Sequence, residues 1–301
     1  MTNDEFSFNF NDVERVDLRA AFDRFGIIHI RSALSEKNLE YFLRLTSKAL
    51  KSALKIHRIA FTSDENDIDA LYNKLFFNPA VTDYWKFVPK TLAKNSLVYH
   101  RLLCEPGILE VTEALIGHDH FQLNWDQNLL RVDRPNEGFA AFEWHQDHPY
   151  ILLSETAISV WAPLTDVTQE MGPLKFVPGS HHGQFHPVIV RNGDAEALEN
   201  YNNKTSKHRY IELANSSVLA KEFERDAVQI PMKAGDALFF HSHLVHRSGQ
   251  NDSDRSRWVF VARYGDLLDA EMVGRGWATT RGANPDLLRK LYPDRVVFSR
   301  D

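Results

Sequence analysis

The chain has 301 residues, 43% hydrophobic and 25% charged, a composition that excludes a disordered, collagen-like or low-complexity protein and leaves room for one large domain or two small ones. Its net charge of −6 carries no long basic run, so the sequence predicts no nucleic-acid partner, and charges interrupt every apolar stretch before it reaches the length of a membrane span. The single cysteine, Cys104, makes no intrachain disulfide and is expected in packing; the start Met1-Thr-Asn-Asp-Glu-Phe6 lacks the pattern of a secretory signal, so a cytoplasmic location is expected.

In chain order, Val13, Val16, Ala20, Ala21 and Phe25 recur at helical spacing, with Gly26 placed for a left-handed cap and a short strand, Ile27–Ile30, after it. Ser35 is a candidate N-cap for a longer helix whose stripe of Leu39, Phe42, Leu43, Leu50, Ala53 and Leu54 should pack on a sheet. Residues 107–116 read as another helix, stopped by Gly117. From about Phe121 short apolar segments alternate with turn residues, predicting strands near 122–133, 139–145, 155–164, 173–178, 227–231, 237–246 and 257–264. This rhythm favours a sandwich, barrel or jelly roll. The polar interval 184–226 reads as an inserted loop or lid, and Asn284-Pro285 opens a terminal helix over 285–292. No internal repeat or interdomain linker is evident, so the whole chain, 1–301, is expected to form a single domain.

The chemistry concentrates in Glu143-Trp-His-Gln-Asp147 and, far downstream, in His246. Residues i and i+2 of a strand share a face, so His145 and Asp147 can present an imidazole and a carboxylate together, and one more imidazole completes a facial triad. Two histidines and one carboxylate suit Fe(II), because they occupy one octahedral face and leave the remaining positions for an organic chelator and dioxygen. The Ser248-Gly-Gln-Asn-Asp-Ser-Asp254 run should turn the chain, making the strand that opens at Arg257 an antiparallel neighbour of the one bearing His246. A guanidinium there is a clamp for a carboxylate, or else a salt bridge to a neighbouring strand. His241, His243 and His246 should not converge on one metal, since period-two geometry splits them between faces; His241 and His243 are expected in packing or supporting roles. Glu143, Tyr150, Arg131 and His148 are near the motif in sequence, with no role assigned.

With these residues in order, the sequence resembles the phytanoyl-CoA dioxygenase family of Fe(II)- and 2-oxoglutarate-dependent oxygenases. The resemblance runs from Phe25-Gly-Ile-Ile-His-Ile-Arg31 through Trp144-His-Gln-Asp147 and Gly172-Pro-Leu-Lys-Phe-Val-Pro-Gly-Ser-His181 to His246-x-Ser248 and Arg257. Glu170-Met171-Gly172 departs from it, standing where the family commonly has Asn before the glycine. The resemblance implies a double-stranded β-helix, the cupin-like jelly roll, mainly β with flanking helices. It implies His145, Asp147 and His246 as iron ligands and Arg257 as the arginine that holds the distal carboxylate of 2-oxoglutarate. Trp161, Gln127 and Leu129 fall at positions lining the cosubstrate, and Ser248 adds a hydrogen bond. The reaction implied consumes dioxygen, releases succinate and CO2, and hydroxylates an unactivated C–H bond of a small organic molecule; desaturation, cyclisation and epimerisation arise from the same chemistry. Asp147 is retained where halogenating relatives lose the carboxylate, which disfavours halogenation. A catalytically silent cupin-like binding module and a zinc hydrolase are the alternatives. Substrate selectivity is expected from loops near 57–100 and 184–226, where Phe76, Phe77, Tyr84, Trp85 and Phe87 suggest an apolar wall. The oligomeric state is open.

Overall fold

A computed structural model describes residues 3–81, 96–124, 128–136, 143–191, 211–277 and 284–299. Strand β1 (Ser7–Asn9) precedes helix α1 (Arg15–Phe25), which ends where Gly26, at φ +71°, returns its N–H to the Phe22 carbonyl at 2.7 Å. The buried face of α1 is Leu18, Ala21, Phe22 and Phe25. Val16, expected on that stripe, is instead 73% exposed, because Leu18 and Phe22 bring more apolar area to the neighbouring face. Strand β2 (Ile27–Arg31) follows, and α2 (Glu36–Ile56) opens with the Ser35 hydroxyl accepting from the Asn38 N–H, as expected of an N-cap.

Helices α3 (Ile68–Phe76), α4 (Leu97–Leu103) and α5 (Pro106–Ile116) come next; α5 stops at Gly117, φ +99°. The main partners of α2 are α3 and α4, where a sheet was expected. Its apolar stripe still reaches the sheet's core through Tyr99 of α4, whose ring lies 6.2 Å from both Phe42 and Phe260. The stretch 57–100 is therefore helical over 68–76 and 97–100; Tyr84, Trp85 and Phe87 lie outside the described residues. Cys104 caps α4 and is exposed, against the packing role expected of it.

The other described strands follow: β3 (Phe121–Leu123), β4 (Leu129–Asp133), β5 (Ile158–Pro163), β6 (Lys175–Phe176), β7 (Val188–Arg191), β8 (Ile211–Leu213), β9 (Val228–Gln229), β10 (Ala237–His241), β11 (His246–Arg247), β12 (Arg257–Asp266) and β13 (Val296–Ser299). Between them lie the short turn α6 (His148–Ile151), α7 (Ser216–Asp226), α8 (Ala270–Gly274) and α9 (Pro285–Leu291), the last capped by Asn284 as expected. The largest sheet runs β1-β2-β10-β5-β12-β3, with β4 also along β12; β11-β6-β9 and β13-β7-β8 form two smaller sheets.

Strand β12 is paired on both edges, antiparallel to β5 on one side and to β4 and then β3 on the other. Alternation then assigns its residues. Trp258, Phe260 and Tyr264 face the helices: Trp258 meets Tyr72 edge-on at 5.5 Å, and the Tyr264 hydroxyl donates to the Leu103 carbonyl at 2.7 Å. Arg257, Val261 and Arg263 occupy the other face. Val261 sits opposite Leu129 and Trp161, Arg257 opposite Asp133, and Arg263 opposite Ser159, so this face gathers polar groups inside the barrel.

Two further expectations need correction. The strand predicted over 237–246 ends at His241; residues 242–245 turn, and His246 belongs to a separate strand in another sheet. The interval 184–226, expected as a loop, carries β7, β8 and α7. Its strands are stabilised by the parallel partner β13 about a hundred residues later and by a second core of Phe185, Val188, Val190, Ile211, Leu213, Phe223, Leu288 and Val296. Residues 192–210 of that interval, and most of the strand predicted at 139–145, lie outside the described residues.

Gly172 locks the turn before β6 to the segment after β11. Its φ is +63°, and a Cβ there would stand 2.0 Å from the Gln250 carbonyl oxygen, which is backbone and has little freedom to yield. Gly172→Ala is therefore expected to destabilise the fold by about 2 kcal/mol or more, read as a lower urea midpoint at unchanged slope; a midpoint within error of wild type would contradict this packing.

Candidate metal and cosubstrate site

The backbone brings two histidines together before their side chains do. His145 and His246 form an antiparallel bridge in which each N–H donates to the other's carbonyl at 2.9 Å, placing the two imidazoles on one face with ring centroids 4.2 Å apart. The Nδ1 of His145 is 2.7 Å from the Glu143 carbonyl, and that of His246 is 2.9 Å from the Leu244 carbonyl. A carbonyl oxygen only accepts, so both Nδ1 atoms carry the proton and both Nε2 atoms are left with lone pairs. These Nε2 atoms stand 3.8 and 4.0 Å from Asp147 Oδ1, and the three ligand atoms all lie within 4.8 Å of one another.

Asp147 is held just as firmly. Ser159 Oγ donates to its Oδ2 at 2.5 Å, Arg263 Nε to the same oxygen at 3.2 Å, and Arg263 Nη2 to Oδ1 at 3.3 Å. Burial by itself would raise the carboxyl's pKa, but the Arg263 guanidinium, with the Ser159 hydrogen bond, outweighs it and holds the group well below the ordinary carboxylate range. Burial pushes His246 below the usual imidazole value, with Asp147 opposing. Two neutral imidazoles and one ionised carboxylate, each oriented by a further hydrogen bond, fit an Fe(II) ion on three ligands.

Arg257, Trp161 and Leu129 lie on the face of the main sheet that also carries Arg263 and Ser159. Arg257 is 2% exposed and lies beside Trp161, its guanidinium carbon 5.9 Å from the ring. Its Nε and Nη2 donate to Asp133 Oδ2 at 3.3 and 2.9 Å, while Nη1 donates to the Met171 carbonyl at 3.1 Å. The salt bridge to a neighbouring strand, which the sequence left open, is thus present. Asp133 also accepts from Arg131 at 2.9 Å, and Arg131 reaches the Ser248 hydroxyl at 3.4 Å. Arg131 and Arg257 thus bring two guanidinium groups to one buried carboxylate, donors of the charge and geometry that suit an added carboxylate. Leu129 lies in the same cross-strand row as Trp161 and is partly buried; Gln127 is outside the described residues. His241 and His243 do not join the triad.

Four contributors escaped the sequence reading. Asp133 and Ser159 were unnoticed, Arg131 had no role, and Arg263 was not singled out. The available signal was parity: Arg263 is six residues after Arg257 on one strand, Asp133 four after Leu129, and Ser159 two before Trp161.

Comparison with known proteins agrees with this geometry. The phytanoyl-CoA dioxygenase (PhyH) family profile matches residues 22–259. L-proline trans-4-hydroxylase of Streptomyces griseoviridis is 30% identical over 195 residues, 62% of this chain and 70% of that protein. Among solved structures, the epimerase SnoN in complex with Fe3+, alpha ketoglutarate and nogalamycin RO superposes with a TM-score of 0.55 at 20% identity, covering 84% of each chain. EctD from S. alaskensis with 2-oxoglutarate and 5-hydroxyectoine gives 0.53 at 21% identity, covering 83% of this chain and 76% of that one. These structural likenesses establish the jelly-roll fold. With the family match spanning most of its length, the chain belongs to the phytanoyl-CoA dioxygenase family and is an Fe(II)- and 2-oxoglutarate-dependent dioxygenase.

Proposed function

We propose that this chain hydroxylates a C–H bond of a small organic molecule, with His145, Asp147 and His246 holding Fe(II) and the Arg257 cluster receiving the distal carboxylate of 2-oxoglutarate. The observation that carries the assignment is an oriented His-Asp-His group whose Asp147 is held by Arg263, on the same face of β12 that carries Arg257. Bound there, iron and 2-oxoglutarate supply the oxidation, with dioxygen consumed and succinate and CO2 released.

The chain's own residues prepare that chemistry. The Glu143 and Leu244 carbonyls fix the histidine tautomers, and Ser159 and Arg263 prevent Asp147 from rotating. Asp133 holds the Arg257 fork in place, and Arg131 with Ser248 stands beside it. Trp161 supplies a flat apolar wall against which an extended dicarboxylate would lie. Hydroxylation of a small molecule is also what the name of the proline hydroxylase relative describes, and it is the reading favoured for this chain. The whole chain is proposed to act as one domain in a reducing, cytoplasmic setting, which suits ferrous iron and the exposed Cys104. No nucleic-acid partner is proposed.

Anaerobic titration of metal-free protein with Fe(II) and 2-oxoglutarate is expected to produce the visible charge-transfer band of the chelated cosubstrate. Asp147→Ala should abolish it. Arg257→Lys, which keeps the charge but loses the fork, should raise the 2-oxoglutarate Kd by roughly tenfold or more. Absence of a band in folded wild-type protein with confirmed metal binding would return the silent binding module to first place.

The buried charge cluster also predicts a pH signature. Burial raises Asp133, but Arg131 and Arg257 outweigh it, and its carboxyl is held below the ordinary range. A depressed folded-state pKa contributes stability above the unfolded carboxylate's pKa of about 4, and that contribution is lost as pH falls through the folded value. Asp133→Asn should therefore cost about 3 kcal/mol at neutral pH and flatten the fall of Tm below about pH 4; an acid limb parallel to wild type would contradict the pairing.

A further inference from the structure

The turn that begins at Asp147 lacks the support its own sequence would give it. Asp147 is the N-cap residue of α6, and an aspartate there ordinarily steadies a helix start by accepting N–H groups of the first turn. Here the carboxylate makes no capping bond, because it is committed to Ser159 and Arg263. Pro149 has no N–H to offer, so the Tyr150 N–H, which donates to the Asp147 main-chain carbonyl at 2.9 Å, is the donor that the carboxylate would otherwise cap. At four residues α6 is too short to hold itself.

What holds it comes from the other end of the chain. The His148 N–H donates to the Ser242 carbonyl at 3.0 Å, and the fully buried His148 ring meets the Tyr292 hydroxyl, 2.9 Å from Nε2. Burial and the Glu155 and Glu271 carboxylates push the Tyr292 phenol up, so it keeps its proton. That proton is donated to Glu155 Oε1, with Glu271 Oε2 3.4 Å away. The phenol oxygen is left as an acceptor, so His148 Nε2 carries the N–H. His148 is thus in the opposite tautomer to His145 and His246, whose Nδ1 atoms carry the proton.

Tyr292 is itself fixed. Its ring packs edge-on against Phe185 at 5.0 Å; Arg295 donates to the Gln184 side chain at 3.0 Å and to the Phe185 carbonyl at 3.2 Å, and β13 runs parallel beside β7.

We propose that Tyr292 is a positioning residue for the iron site. Through the His148 ring it holds the α6 turn in place of the missing cap, and so keeps the Asp147 carboxylate facing the metal instead of folding back onto the Tyr150 N–H. Tyr292 lies beyond residues 22–259 that the family profile covers, so nothing in that match assigns it a role. The proposal rests on the reading of Asp147 as an iron ligand, and its test separates the two.

Metal-free protein is titrated anaerobically with Co(II), an optical probe for a ferrous site, and the Kd and visible band are recorded alongside circular dichroism to confirm folding. Tyr292→Phe, which removes only the hydroxyl, should raise the Co(II) Kd by roughly tenfold, the loss typical of groups that orient metal ligands, and shift the band. Val190→Ala loosens the same second core without touching the hydrogen bond; it should lower Tm yet leave Kd and band at wild-type values. Nitrogen NMR of the wild type should show the His148 proton on Nε2. A His148 proton on Nδ1, wild-type Kd and band in Tyr292→Phe, or equal losses of affinity in Tyr292→Phe and Val190→Ala would each overturn the proposal, and the iron assignment would stand as long as Asp147→Ala fails to bind. Co(II) binding indifferent to Asp147→Ala would overturn the iron assignment and this proposal with it.

Discussion

The alternation of side chains along Arg257–Asp266 is the constraint on which the rest of the structure depends. Paired on both edges, this strand cannot slip by one residue without moving Trp258, Phe260 and Tyr264 into the barrel and Arg257 and Arg263 onto the helices. The large aromatic contacts on the helical side, Tyr72 with Trp258 and Tyr99 with Phe260, therefore fix the register that positions the guanidinium groups. Core packing and site assembly are one choice. Hydrophobic burial on one face sets the geometry of charge on the other.

The proposed metal ligands come from the opposite side of the barrel, and they are united by backbone pairing before any metal enters. The reciprocal bridge between His145 and His246 aligns their rings, while Ser159 and Arg263 reach across from β5 and β12 to hold Asp147. A site made in this way is preorganised: its donors are already ordered by folding, so metal binding has little conformational entropy left to oppose it.

Local signals carried much of this architecture in the sequence. Gly26, Ser35, Gly117 and Asn284 act as the caps their residue types suggest, because capping depends on a few adjacent groups. The grouping of His145, Asp147 and His246 was also expected, the first two from the His-x-Asp motif and His246 from the family resemblance. What stayed hidden depends on distant partners. The break after His241 is unmarked, for Ser242-His-Leu-Val245 contains neither glycine nor proline and continues the apolar run. The β7-β8 pair looked like a polar loop because its third strand, β13, lies at the other end of the chain. Asp133 gained meaning only once the register set it opposite Arg257, and no spacing rule links positions 124 residues apart.

In the proposed site, the Asp133–Arg257 pair bears on how the catalytic cycle would end. A clamp made of unopposed guanidinium groups would hold succinate, also a dicarboxylate, with the same grip as the cosubstrate, and turnover would stall on the spent acid. Asp133 accepts from both guanidinium groups and offsets part of their charge, which would weaken the hold on an anion bound there. What then separates the two acids is the keto-acid end, where 2-oxoglutarate has a chelating group that succinate lacks. Moderating the field at the distal end would shift discrimination to the metal end, so that in the proposed site exchange of spent acid for fresh cosubstrate would be governed by chelation.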